Sequence, residues 1–350
     1  MRLEYVPARY EAFRAESPDL SFCRVASREK GLYWLLGTDG TRQARVSGKF
    51  QHNAKSVSDY PAVGDYVLAD LDGDATIIRR VLPRTSVFLR KAAGVAVSEQ
   101  VVAANIDVIF LCMSLNSDFN LRRLERYLAV AWDSGATPVV LLTKADLCEN
   151  VAAKIAETES VAAGVDIVTT SVAEEGGARI APYLLKGKTL AFVGSSGVGK
   201  STLINALLGE DRLKTNGLRN DGKGRHTTTR RELIPLPCGA TVIDTPGMRE
   251  LGVWDAGGGL SAEFADIEAL AEKCRFRDCA HRTEPGCAVR AALERGELSA
   301  DRLLSYEKLR TENAYSENAE SYLAVKEEKF RKIVSVVCRD GLTRKIPDSK

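Results

Sequence analysis

The sequence predicts a chain of several domains: a small β-barrel, an α/β domain on a parallel sheet, and a short helical segment around a cysteine cluster. Three observations carry this. Residues 21–90 divide into five short alternating segments, SFCRVAS, GLYWLLG, TRQARVSG, AVGDYVLAD and ATIIRRVLP, separated by Gly, Asp and Pro turn signals, which reads as a small barrel or sandwich. From about 100 to 255 the apolar runs IDVIFLCMSL, TPVVLLT, VDIVTTS, KTLAFVG and ATVIDT alternate with helical segments such as LRRLERYLAVAWDSG. Buried strands alternating with helices build a parallel sheet. After roughly 256 the pattern is helical, interrupted by CRFRDCAHRTEPGC at 274–287.

The bulk numbers agree with this division. A chain of 350 residues is too long for one ordinary domain, and 45% hydrophobic residues suffice for real cores. Forty-nine Lys and Arg against 47 Asp and Glu leave +2, which excludes a polycation and says nothing of local patches. No apolar run of about 18 residues exists, so no membrane span is expected. The start, MRLEYVPARYEAFRAE, is too polar for an export signal. Eight cysteines in such a chain point to a reducing, cytoplasmic compartment, with thiols or metal ligands in place of disulfides.

In chain order, residues 1–20 read as a short helix or loose arm, 21–95 as the barrel and 96–255 as the α/β domain. Residues 256–325 form the helical domain and 326–350 a tail with eight Lys/Arg against four Asp/Glu. The stretch from Gly48 to Pro61 has no clear period and is expected as a long exposed loop.

The most specific stretch is KTLAFVGSSGVGKSTLINALLG. Gly194, Ser195, Ser196, Gly197, Val198, Gly199, Lys200 and Ser201 satisfy G-x-x-x-x-G-K-[ST], with an apolar strand before and, from Thr202 on, an amphipathic helix after. Glycines let backbone N–H groups wrap phosphates, and a helix N-terminus adds its positive end. Lys200 would reach the β- and γ-phosphates and Ser201 would ligate Mg²⁺. Downstream, ATVIDTPGM ends a strand at Asp244, placed for the Mg²⁺ shell, and Gly247 can offer its N–H to a γ-phosphate. Between them LKTNGLRNDGKGRHTTTRR suits a switch loop, with Thr227, Thr228 or Thr229 contacting Mg²⁺ or phosphate, Thr228 the first choice. An ordinary solvated loop is the alternative.

A guanine reader needs an Asp facing the base's N1 and N2 donors and a Lys along the ring. VVLLTKADL supplies Lys144, Ala145 and Asp146 after a buried strand, with Thr143 where guanine-binding proteins usually carry Asn. That exchange keeps a hydroxyl and loses an amide, which weakens the motif. Ser171 follows another strand, where the second base-side turn would fall. The base motifs at 143 and 171 precede the phosphate loop, whereas in Ras-like proteins they follow it. The cyclic order is kept and the linear order rotated, which leaves the sheet of a domain with adjacent termini intact. The rotation runs the strand of Asp244 toward the C-terminal domain, so nucleotide state is expected to pass through residues 248–260.

Cys274, Cys279, His281 and Cys287 are separated by four, one and five residues. Thiolate and imidazole donors in this set suit a closed tetrahedral Zn²⁺ site of structural type. Cys23, Cys112, Cys148, Cys238 and Cys338 stand singly and are expected as core thiols. In the barrel segment 12 Lys/Arg against 7 Asp/Glu give +5, with Tyr33, Trp34, Tyr60, Tyr66 and Phe88 interspersed. That composition fits either a nucleic-acid groove with stacking aromatics or a core with a solvated face.

From about residue 21 to 325 the chain resembles the RsgA (YjeQ) family of circularly permuted GTPases of small-ribosomal-subunit maturation. The resemblance rests on the PAVGD turn, TKAD, GSSGVGKST, GRHTTT, DTPGM and the cysteine cluster. It implies an OB-fold barrel, a circularly permuted α/β P-loop GTPase domain and a small α-helical zinc-binding domain. It also implies GTP and GDP as ligands, Mg²⁺ and one Zn²⁺ as cofactors, and the 30S subunit with its 16S rRNA as partner of a monomeric protein. Met248 stands where Ras-like enzymes carry a water-positioning Gln, and a thioether cannot orient water. The unassisted rate is therefore expected on the order of 10⁻³ s⁻¹ or less. The family places a catalytic histidine at His226, whose imidazole can move a proton near neutral pH. A surface histidine in a basic loop is the alternative.

Overall fold

Period-two alternation closes the N-terminal segments into a barrel. The computed structural model describes residues 2–3, 5–29, 31–71, 75–91, 99–116, 118–171, 177–213, 232–244 and 259–317. Strands β1 (Ser21–Glu29), β2 (Leu32–Gly37), β3 (Gly40–Val46), β4 (Tyr66–Asp70) and β5 (Thr76–Val81) follow the expected segments. Antiparallel β1–β2, β2–β3 and β4–β5, parallel β3–β5, and antiparallel β1–β4 complete the circuit. This is the five-stranded OB-type arrangement, which leaves no free edge. Val25, Leu35, Val67 and Ile78 fill its interior.

Helix α1 (Glu11–Glu16) follows Tyr10, which is buried against Phe22 and Tyr66 and donates its hydroxyl to the Pro83 carbonyl at 2.8 Å. The arm is therefore pinned to the barrel. The stretch from Gly48 is not one loop. It holds helix α2 (Gly48–Asn53), whose first turn is capped by the Ser47 hydroxyl accepting from Phe50 N, and a 3-10 turn at Val57–Asp59. Caps act locally and leave too short a run for periodicity to register. Strands β6 (Val87–Lys91) and β7 (Glu99–Ala104) pair as a hairpin, so the expected break at 95 falls between its two strands.

Next come β8 (Val108–Ser114), α3 (Leu121–Ser134), β9 (Thr137–Thr143), α4 (Val151–Glu159), β10 (Asp166–Thr170), β11 (Thr189–Val193), α5 (Lys200–Leu208), β12 (Glu232–Pro235) and β13 (Thr241–Asp244). The spatial order β10-β9-β8-β11-β13-β12 is parallel except for β12, which runs antiparallel to β13. Parallel strands buried on both faces explain the unbroken apolar runs. α3 starts at Asn120, whose side chain accepts from Arg123 N, and ends at Gly135 in the left-handed conformation.

The C-terminal part comprises α6 (Gly259–Glu263), α7 (Ala265–Ala271), α8 (Ala288–Glu294) and α9 (Ala300–Glu317), with Phe264, Ile267, Val289, Ala292 and Leu303 buried between them.

The PAVGD turn of the barrel packs against the β6–β7 hairpin, Val63 bridging to Ala103. Gly64 has φ +94°, and a Cβ there would stand 2.1 Å from the Ala104 carbonyl of β7. The next residue, Asp65, is fully buried and receives a two-pronged ion pair from Arg84 at 2.8 and 2.7 Å. Arg84→Ala would leave that carboxylate buried and unpaired, which should cost about 3–5 kcal/mol in urea unfolding. The double variant Asp65→Asn/Arg84→Met should recover most of that loss.

Candidate functional site

The parallel register sets the site. β8, β9, β10, β11 and β13 end along one edge of the sheet, and residues just beyond the carboxyl ends of such strands form the binding crevice. Leu111 pairs with Val193, Ser114 with Thr143, and Thr143 with Thr170. Lys144 and Ser171 therefore leave the sheet side by side, Gly194 leaves it lower down beside Cys112, and Asp244 closes β13 on the other side of β11, opposite Glu232 of β12.

The loop after β11 wraps back on itself. Gly194 has φ +150° and a Cβ there would lie 2.3 Å from the Cys112 carbonyl, so only glycine lets the loop leave the strand at this point. Val198 is buried, Ser195 half-buried, and Ser196 and Gly197 exposed. Gly199, also left-handed, precedes α5, placing Lys200, Ser201 and Thr202 in the first helical turn. The Lys200 ammonium donates to the carbonyls of Gly194 and Ser195 at 2.6 Å each. One cation is thus held at the mouth of a loop whose helix presents its N-terminus.

Thr143 is 2% exposed, and its hydroxyl donates to the Val198 carbonyl at 2.7 Å. The sequence presents this residue as a weakened base reader. Its hydroxyl ties the end of β9 to the phosphate loop, a task that needs a donor and no amide. Lys144 takes the left-handed conformation (φ 57°), which turns the chain sharply after the strand, with Ala145 half-buried and Asp146 exposed. Thr170 Oγ1 and Ser171 Oγ are buried and without a hydrogen-bond partner among the described residues. His226, Thr227, Thr228, Thr229, Gly247 and Met248 lie outside the described residues, as does most of the expected 248–260 route.

A second cluster lies in the C-terminal helices. One donor atom from each of Cys274, Cys279, His281 and Cys287 falls within 4.8 Å of the others. The sulfurs of Cys274 and Cys287 stand 3.6 and 3.5 Å from His281 Nδ1. His281 is buried and has φ 61°, and burial lowers its pKa, favouring the neutral, lone-pair form. Backbone N–H groups of Ala288 and Arg290 donate to the Cys274 and Cys287 sulfurs at 3.3 and 3.4 Å. Such donors favour thiolates, and one metal ion could touch all four residues. Of the other cysteines, Cys23 and Cys112 are core thiols, while Cys148 is half-buried, Cys238 is exposed on the β12–β13 turn, and Cys338 lies outside the described residues. Residues 81–254 match the RsgA GTPase family.

The chain belongs to the RsgA family. It is 52% identical over 83% of its length, and 83% of the relative's, to the small ribosomal subunit biogenesis GTPase RsgA 2 of Lactiplantibacillus plantarum. It is 49% identical to the RsgA of Opitutus terrae, with 84% and 83% of the two chains aligned. The crystal structure of YjeQ from Thermotoga maritima superposes with a TM-score of 0.61 at 27% identity, covering 84% of this chain and 99% of that one. YloQ, a circularly permuted GTPase, gives 0.60 at 26%, covering 84% and 95%.

The RsgA assignment gives the sheet order its meaning. The phosphate-loop strand β11 sits between β8 and β13 although it follows β8, β9 and β10 in the chain, which is the permutation that the motif order predicts. Thr143→Val keeps the shape and deletes the donor to Val198. It should weaken GTP binding by roughly 2- to 12-fold, the worth of one hydrogen bond, in a titration with a fluorescent nucleotide. Cys279→Ser should abolish stoichiometric metal content, and chelation of the wild type should remove helical circular dichroism from the C-terminal helices.

Proposed function

We propose that this RsgA-family protein hydrolyses GTP in response to the 30S subunit, as a late maturation or checkpoint factor. The observation that carries the reading is the convergence of the phosphate loop with Thr143–Asp146 and Ser171 at one sheet edge. Asp146 reads the guanine N1 and N2 donors while Lys144 packs along the ring. Loop N–H groups and Lys200 hold the β- and γ-phosphates. Ser201 and Thr228 would hold Mg²⁺ with Asp244, the ion neutralising phosphate charge, and Gly247 would offer its N–H to the γ-phosphate. Water attacks the γ-phosphorus, the bond to the β-phosphate oxygen breaks with GDP as leaving group, and His226 would accept the proton of the attacking water and return it to solvent. With Met248 in place of a water-orienting amide, the subunit completes the site.

The metal of the Cys₃His cluster is read as a structural Zn²⁺. Bond lengths of about 2.3 Å to sulfur and about 2.0 Å to nitrogen would place tetrahedral S and N donors about 3.5 Å apart and sulfurs about 3.8 Å apart. The separations of 3.5 and 3.6 Å to His281 and 3.9 Å between Cys274 and Cys287 fit.

The 16S rRNA is assigned to the barrel, and the protein is read as a cytoplasmic monomer. No helix among the described residues is long and apolar enough to cross a membrane. Tyr33, Tyr66 and Phe88 are buried, so any stacking falls to other aromatics. A groove of about 870 Å³ lined by Lys49, Phe50, Asn53 and Arg80 supports an RNA contact. The domain limits 21–95, 96–255 and 256–325 stand as working boundaries within this proposal.

Turnover measured with and without 30S subunits tests the whole. Strong stimulation is expected, abolished by Lys200→Ala and lost in His226→Ala. Nucleotide-dependent RNA binding without turnover would replace it with a binding switch.

A further inference from the structure

Helix α3 stands between two parts of the molecule. Helices α6 and α9 of the C-terminal part pack against one flank. On that flank Glu125 is 0% exposed and accepts from Arg302 Nη1 of α9 at 2.9 Å, with Arg122 of its own helix as a second donor. Arg302 is committed on every side. Its Nε and Nη2 grip Asp266 at 2.8 and 2.9 Å, Nη2 also donates to the Glu263 carbonyl at 2.9 Å, and the guanidinium lies over the Phe264 ring at 4.8 Å. The Glu263 carboxylate stands 3.7 Å away, and burial pushes it up to about 9. Glu125 Oε2 and Glu263 Oε1 are buried without a hydrogen-bond partner among the described residues. A junction of this kind depends on one cation, because the fully buried Glu125 loses its donor from the C-terminal helices when Arg302 leaves.

On the same turn of α3, Tyr127 is 3% exposed and shares a hydrogen bond with the Ser195 side chain of the phosphate loop. The Ser195 carbonyl in turn receives the Lys200 ammonium. One turn of α3 thus carries both Glu125, held by Arg302, and Tyr127, which meets the loop that cradles phosphate, the two joined through the helix backbone. This connection is separate from the 248–260 route anticipated from the motif order.

We propose that Arg302 and Glu125 form a latch between the cysteine-cluster domain and helix α3, and that Tyr127 passes the latched position of α3 to the phosphate loop. Glu125, Arg302 and Tyr127 are positioning residues: none touches nucleotide. Docking of the C-terminal part slows nucleotide release, and undocking speeds it. The inference rests on the phosphate loop being the nucleotide site.

The test uses full-length Arg302→Met and Glu125→Gln, with Tyr127→Phe alone and combined with Arg302→Met. Metal content at the wild-type level certifies that the cysteine cluster remains folded. Hydrogen exchange over residues 121–134 and 259–263 reads docking, and displacement of a fluorescent GDP analogue reads release. In Arg302→Met both segments should exchange faster and release should accelerate roughly 2- to 30-fold, the usual span of such couplings. Glu125→Gln should do the same more weakly. Tyr127→Phe should accelerate release without faster exchange in 259–263, and the double variant should release no faster than Arg302→Met. Unchanged exchange in both latch variants overturns the latch. Faster exchange with unchanged release, or independent effects in the double variant, overturns the relay. Failure of the wild type to bind the analogue would instead defeat the nucleotide-site reading.

Discussion

The alignment of β11 between β8 and β13 is the constraint on which the site depends. A parallel sheet has one carboxyl edge, and the register brings Ser114, Thr143 and Thr170 to one level there while β11 stops three residues short, at Val193 opposite Leu111, which leaves room for its loop. The close approach of Gly194 to the Cys112 carbonyl then allows the loop to fold back over that edge. Once the loop is there, Thr143 can reach Val198 and Lys200 can reach the loop carbonyls. A one-residue slip in the register would send these side chains to the opposite face.

The barrel is built into the same framework. β1 pairs with β12 at Ser27 and Glu232, so sheet hydrogen bonding runs from the barrel into the α/β domain. Arg24, almost wholly buried, donates to the Gly64 carbonyl and to Thr189 Oγ1 at the start of β11. A buried arginine is tolerated where its hydrogen bonds are met and an aromatic face lies near, here Tyr66 at 4.7 Å. The strand that feeds the phosphate loop is therefore anchored at its base to the barrel.

The C-terminal part uses a different economy. Its four helices bury a modest set of apolar side chains, and small cores gain much from a metal cross-link. Its cysteines therefore mark the fold as much as a ligand set. The attachment of this part to α3 combines the packing of α6 with the Arg302–Glu125 ion pair, where the barrel's attachment combines strand pairing with hydrogen bonds. Ionic junctions gain less from burial than apolar ones and separate at lower cost when their partners find water.

Periodicity alone locates β1–β5, β8–β11 and β13, because buried parallel strands and barrel strands leave strong apolar signatures. The phosphate loop, the TKAD turn and the Cys₃His set were equally legible, since each depends on residue type at fixed short spacing. The motif order also announced the rotated topology. β6, β7 and β12 were not legible: they pair antiparallel and mix charged with apolar residues, so they lack the unbroken apolar run of the parallel strands, and their pairing partners supply the stabilisation that propensity lacks. The same limit applies to the aromatics of the barrel, where Tyr33 and Tyr66 are core residues because of which face of the strand turns inward.

The sequence by itself determined which chemistry the chain carries and in what linear order. Only the tertiary structure decided that Thr143 braces the phosphate loop and that Arg302 meets Glu125 across 177 residues of chain. The physical reason is that motifs encode local backbone geometry and ligand chemistry. Contacts between distant segments depend on how helices and strands pack, and no spacing along the chain records that.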